Sequence, residues 1–116
     1  MARAVGYMDD LFFQMKIAET AKQLGVEFKV ASNPAGLAGL LEPPTKLVLV
    51  DLNARNNPLA TIRELCATHQ GLQVMAFLSH VQTDLAREAR AAGCTDVMPR
   101  STFTQNLATI LAVAKD

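Results

Sequence analysis

At 116 residues the chain is the length of one domain, and half of it is hydrophobic with only 19% charged, which excludes a disordered segment and supplies enough apolar side chain for a single core. Its 11 Lys and Arg balance its 11 Asp and Glu and are interspersed with them, so it lacks both the basic footprint of a nucleic-acid binder and the polybasic run of a membrane-surface protein. With no secretory leader pattern and no apolar stretch near about 18 residues, the expectation is a cytoplasmic protein forming one domain over residues 1–116.

Ala4–Met8 reads as a first strand, and Leu11–Leu24 as a helix whose stripe is Phe13, Ile17, Ala21 and Leu24, ended by Gly25. Val26–Ala31 sets Val26, Phe28 and Val30 against Glu27 and Lys29, the alternation of a half-exposed edge strand. Asn33-Pro34 is a cap followed by proline at the first helical position. It opens a short helix to about Leu41, which Pro43-Pro44 stops. Leu47–Val50 is a continuous apolar run, the mark of a strand buried on both faces.

Asn57-Pro58 repeats the cap-plus-proline signal and opens a third helix, with Leu59, Ile62, Leu65, Cys66 and His69 on or near one side. Gln73–Leu78 follows as a strand, Val81–Ala92 as a helix closed by Gly93, and Cys94–Met98 as the last strand. Ser101 or Thr102 is predicted to cap the final helix, whose stripe is Phe103, Leu107, Ile110, Leu111 and Ala114. The two cysteines have no second Cys or His at metal-ligand spacing, so both are expected as buried free thiols.

Five alternating strand and helix units imply a parallel sheet covered by helices on both faces and joined by right-handed crossovers. The predicted fold is a flavodoxin-like (βα)5 three-layer α/β sandwich of strand order 2-1-3-4-5. Four of its strands end in polar residues: Asp9-Asp10, Asp51, Ser79 and Arg100. In such a sheet these ends share one edge, beside the crevice where open α/β folds bind ligands. Each residue has a plainer role available. Asp51 can cap the turn after its strand, Asp9 and Asp10 can cap the first helix, and Ser79 can be a turn residue.

Met8-Asp9-Asp10, Leu49-Val50-Asp51-Leu52-Asn53, Phe77-Leu78-Ser79 and Gly93–Ser101 together resemble the receiver domain of two-component response regulators over essentially the whole chain. The resemblance implies a bacterial signalling domain rather than an enzyme, with Asp51 as phospho-acceptor and Ser79 and Arg100 as phosphoryl contacts. It also implies Mg²⁺ held by Asp9, Asp51 and the backbone carbonyl of Asn53, with Asp10 as a further, peripheral ligand and the Asn53 side chain incidental. A gapless count from Gly25 leaves Met8 in the place of the family's first acid, unless a bulge at Gly6 re-registers the strand. Arg100 replaces the family lysine, and Val97 stands where the family often has a switch aromatic. His80 follows Ser79 where a small residue is usual.

The partners implied are a histidine kinase or phosphotransfer protein, and a second copy paired through the fourth helix, fifth strand and fifth helix, where Gln82, Asp84, Arg87, Glu88 and Arg90 lie. Three functions compete. The first is a phosphorelay receiver altering a protein contact. The second is a degenerate receiver that serves as a constitutive interaction or dimerisation module, with Asp51 and Arg100 as a structural ion pair. The third is a small enzyme or cofactor binder, which the absence of a GxGxxG or P-loop glycine cluster makes weakest.

Overall fold

The computed structural model describes residues 3–41, 45–69, 71–79 and 83–115. The helix stop at Pro43-Pro44, the positions of His80 and Gln82, and the start of the fourth helix at Val81 lie outside the described residues.

Strands β1 (Arg3–Tyr7), β2 (Glu27–Ala31), β3 (Thr45–Asp51), β4 (Gln73–Leu78) and β5 (Asp96–Pro99) form one parallel sheet in the order β2-β1-β3-β4-β5. Between them run α1 (Leu11–Leu24), α2 (Pro34–Leu40), α3 (Pro58–Thr68) and α4 (Thr83–Ala92). After β5 come α5 (Arg100–Gln105), α6 (Leu107–Leu111) and a closing 3₁₀ turn, Ala112–Ala114. The flavodoxin-like order expected from the alternation is therefore the order observed.

The period of two along each strand divides the core between the two faces of the sheet. Leu47 and Leu49 of β3 pack under Phe13, Ile17 and Ala21 of α1 and Phe103, Leu107 and Leu111 of α5 and α6. Val48 and Val50 point the other way, toward Leu37 of α2, Ile62 and Leu65 of α3 and Ala89 of α4. A strand sandwiched in this way cannot alternate with polar residues, which is why its sequence is an unbroken apolar run.

Several local expectations change. Helix α2 is capped as read, the Asn33 side chain accepting from the Gly36 N–H at 2.7 Å. Asn57 is different: it sits at φ 47° with no side-chain cap bond. Asparagine tolerates this left-handed conformation, and here it lets the Asn57 carbonyl accept both the Thr61 N–H and the Thr61 hydroxyl, 3.1 and 3.0 Å away. His69 is exposed and ends α3 rather than lining its buried side.

At the far end, neither Ser101 nor Thr102 caps α5. The helix already begins at Arg100, with Pro99 at the cap position, and both lie exposed inside it. All five stripe residues from Phe103 to Ala114 are buried, although Asn106 divides the predicted helix in two. Cys66 and Cys94 are free but only partly buried. Cys94 lies before β5, its N–H bonded to the Ala89 carbonyl. Among the described residues no helix is long and apolar enough to cross a membrane.

Candidate functional site

The carboxyl ends of β1, β3, β4 and β5 lie along one edge, and each delivers the polar group its sequence carries there. Asp51 closes β3 and is only 3% exposed. One carboxylate oxygen, Oδ1, accepts the Asn53 N–H at 2.8 Å; the other, Oδ2, accepts from the Arg100 guanidinium at 3.2 Å. Burial raises the Asp51 pKa above its ordinary 3.8, and the neighbouring charges of Asp9 and Asp10 add to the rise. The Asn53 N–H and the Arg100 charge oppose it.

Arg100 is the hub of the site. While Nη2 meets Asp51, Nη1 donates to Asp10 Oδ2 at 2.9 Å, so one planar fork joins two carboxylates that are 41 positions apart in the chain. A lysine ammonium has no such fork. The guanidinium carbon lies 4.4 Å from the Phe13 ring centroid and 5.6 Å from that of Phe77, close enough for a cation–π attraction. Those rings belong to an aromatic cluster with Phe103, whose ring centroid is 4.5 Å from that of Phe77. The Arg100 Nε is buried beside them with no hydrogen-bond partner among the described residues.

The two aspartates after β1 face different partners. Asp10 reaches the pocket: its Oδ1 caps α1 by accepting the Phe13 N–H at 3.1 Å, and its Oδ2 holds Arg100. The cap bond first, and Arg100 second, hold its carboxyl below the usual range. Asp9 turns toward the β3–α3 loop, where the backbone N–H and Nε of Arg55 both meet its Oδ2 at 3.2 Å.

No bulge occurs at Gly6, which pairs in register with Val30 and Leu49. A Cβ there would come within 2.8 Å of Met8 Cε and 2.9 Å of Phe28 Cζ. The glycine makes room for Met8, which is fully buried and belongs to the α1-side core. The residue in place of a first acid is thus a packing residue.

Asn53 is more than the carrier of a carbonyl. Its side-chain oxygen accepts the Ser79 N–H at 2.7 Å and ties the loop after β3 to the end of β4. Ser79 is exposed at that end. Three more ties in the same loop carried no signal in the sequence: Arg55 to Asp9, the Tyr7 hydroxyl donating to the Asn56 carbonyl, and the Asn56 side chain donating to the Ser32 carbonyl. Val97 is buried beneath α4, beside a groove of about 250 Å³ lined by Leu78, Ala86, Arg90 and Pro99. On the outer face of α4, Asp84, Arg87 and Glu88 are exposed, with Arg87 and Asp84 paired at 3.4 Å, while Arg90 turns toward β5 and donates to the Val97 carbonyl at 3.1 Å.

The donor set is a poor match to Mg²⁺. That ion needs oxygen ligands at about 2.1 Å in near-octahedral array. Here Asp10 and Asp51 share a guanidinium and Asp9 is held by Arg55. Among the described residues no three carboxylate, imidazole or thiol groups converge closely enough to hold a metal ion.

No family model and no curated protein matches the sequence. Solved structures do resemble it. The signal receiver domain of a DNA-binding response regulator from Colwellia psychrerythraea superposes with a TM-score of 0.82 at 18% identity, covering 100% of both chains. NtrX from Brucella abortus, solved with ADP, gives 0.82 at 21% identity over 97% of this chain, which spans 26% of the NtrX chain. A Burkholderia pseudomallei response regulator solved with a phosphorylated aspartic acid and calcium ion gives 0.81 at 19% identity, over 99% of this chain and 67% of that one. The fold is therefore the one that these response regulator receiver domains share.

Proposed function

We propose that the chain is a signalling module of the receiver type whose acidic pocket is closed by its own arginine, and which acts through protein contacts without depending on phosphate. The observation that carries this reading is the Asp10–Arg100–Asp51 bridge, with contacts of 2.9 and 3.2 Å. A buried carboxylate that already holds a guanidinium and a backbone N–H is a poor nucleophile. Attack on phosphorus needs a free lone pair in line with the leaving group. The contact surface proposed is the face formed by α4, β5 and α5, used toward a second copy or a kinase-type partner in the cytoplasm.

The second reading is phosphorylation of Asp51 by a histidine kinase or phosphotransfer protein with Mg²⁺, Ser79 and Arg100 contacting the phosphoryl group. The placement of Asp51 favours it, a buried carboxylate at the end of a central strand with Ser79 tied nearby through Asn53. In that reading Asp9, Asp51 and the Asn53 carbonyl, with Asp10, would hold the ion, and Arg100 has to leave Asp10.

Melting with Mg²⁺ and beryllium fluoride, a phosphoryl mimic, separates the two. A ligand at a hundred times its Kd stabilises the native state by about 2.7 kcal/mol. The closed-pocket reading expects no shift beyond that of Mg²⁺ alone. A rise of several degrees that Asp51→Asn abolishes establishes the phospho-acceptor instead.

A further inference from the structure

We infer that Arg100 is the built-in counter-cation of the pocket, so that the closed arrangement of Asp10 and Asp51 forms without a divalent metal and excludes one. The inference rests on the closed-pocket reading and specifies what closes it. Three observations support it.

First, the charges are matched within the chain. Asp10 and Asp51 face the two ends of one guanidinium, and Asp9 faces Arg55, so each acid at this edge has a basic partner. Second, the fork is held from the side as well as from its ends. Phe13 and Phe77 lie at cation–π distance, and Nε is buried beside them. The stem leaves the first turn of α5 directly after Pro99, whose ring restricts the backbone there. Third, the carboxylates are spaced for a guanidinium. Each gives its Oδ2 to a different terminal nitrogen. A small hard cation would draw both oxygens to about 2.1 Å from one point. Arg100 would have to swing out first, carrying its charge away from the rings and leaving both carboxylates unpaired.

Mn²⁺ titration followed by loss of the free-ion electron paramagnetic resonance signal tests this directly, with the metal alone and no phosphoryl mimic. Wild-type protein is expected to leave the Mn²⁺ signal unchanged up to millimolar concentrations. Arg100→Met, which keeps an apolar stem against Phe13, is expected to bind at least tenfold more tightly than wild type, and adding Asp51→Asn is expected to remove that binding. Should Arg100→Met lose its native circular dichroism, recovery of the native spectrum by millimolar Mn²⁺ supports the inference, and failure to recover overturns it. Wild-type binding that matches the folded variant and is abolished by Asp51→Asn also overturns it, as does a folded variant that binds nothing. A wild-type protein silent toward Mn²⁺ but stabilised by Mg²⁺ with beryllium fluoride would sink the functional reading while leaving this one standing.

Discussion

Asp51 and Arg100 show how one residue can cost stability while its partner is indispensable. Removing a carboxylate from water is expensive, and the attraction to a buried partner only partly offsets it. The raised pKa of Asp51 says that its ionised form is less favoured in the fold than in the unfolded chain. We therefore expect Asp51→Asn to be neutral or stabilising by about 1 kcal/mol at pH 7 in urea denaturation. Arg100→Ala leaves a buried carboxylate without its cation and is expected to cost about 3 kcal/mol. That loss should shrink in the double variant, because the group left unpaired is gone.

The pH dependence has a definite sign. An acid whose folded pKa lies above its unfolded one imposes a cost that is full above the folded pKa and gone below the unfolded value, 3.8. The advantage of Asp51→Asn should thus be largest near neutrality and vanish below about pH 4, as chemical denaturation at a series of pH values would show. Asp10 behaves oppositely. Its lowered pKa gives a contribution present above 3.8 and lost only as pH falls through the lower folded value. Asp9 and Asp10 were both visible in the sequence as strand-end acids, but which of them meets Arg100 was not. Which of two adjacent side chains turns inward depends on the route of the loop after β1, and no local pattern encodes that route.

The elements follow the sequence closely where a period or a stop residue dictates them, as in Leu11–Leu24 and Gln73–Leu78. They depart where a tertiary contact overrides a local preference. Ser101 was a sound cap on propensity, yet Arg100 is drawn into the first turn of α5 by two carboxylates contributed by other elements. Gly93 shows a constraint that no pattern reveals. It turns from α4 toward β5 at φ 117°, and a Cβ would lie 2.7 Å from Cys66 Cβ and 2.8 Å from its Sγ. Gly93→Ala therefore combines backbone strain with a clash and is expected to lower stability by about 2 kcal/mol, read from the urea midpoint.

Burial also disfavours the thiolate form of the two cysteines near that turn. Burial pushes Cys94 up to about 12, with Cys66 adding to the rise, and burial raises Cys66 as well. Both are protonated at pH 7, and only the thiolate is a nucleophile. Iodoacetamide should modify the native protein far more slowly than the urea-unfolded chain.

For the whole molecule, the sheet works as a wall between two separate half-cores. Leu49 and Ile62 belong to different ones. Truncating either to Ala is expected to cost about 3 kcal/mol, and the two losses should add to within about 0.5 kcal/mol because the sites share no cluster. Unfolding should nevertheless remain one transition by circular dichroism and fluorescence, since β3 supplies side chains to both halves.

This arrangement also explains what could be read from the chain alone. The period of the apolar residues, the unbroken run of β3 and the alternation of units determined the strands, their order and the edge on which the polar ends meet. These depend on local chemistry and on the handedness of crossovers, both of which act on contiguous segments. Only the folded molecule decided that Asp10 rather than Asp9 meets the guanidinium, that Asn53 reaches across to Ser79, and that Arg100 lies against Phe13. Those contacts join residues 26 to 90 positions apart. Their geometry is set by the packing of helices on a twisted sheet, which is a property of the whole assembly.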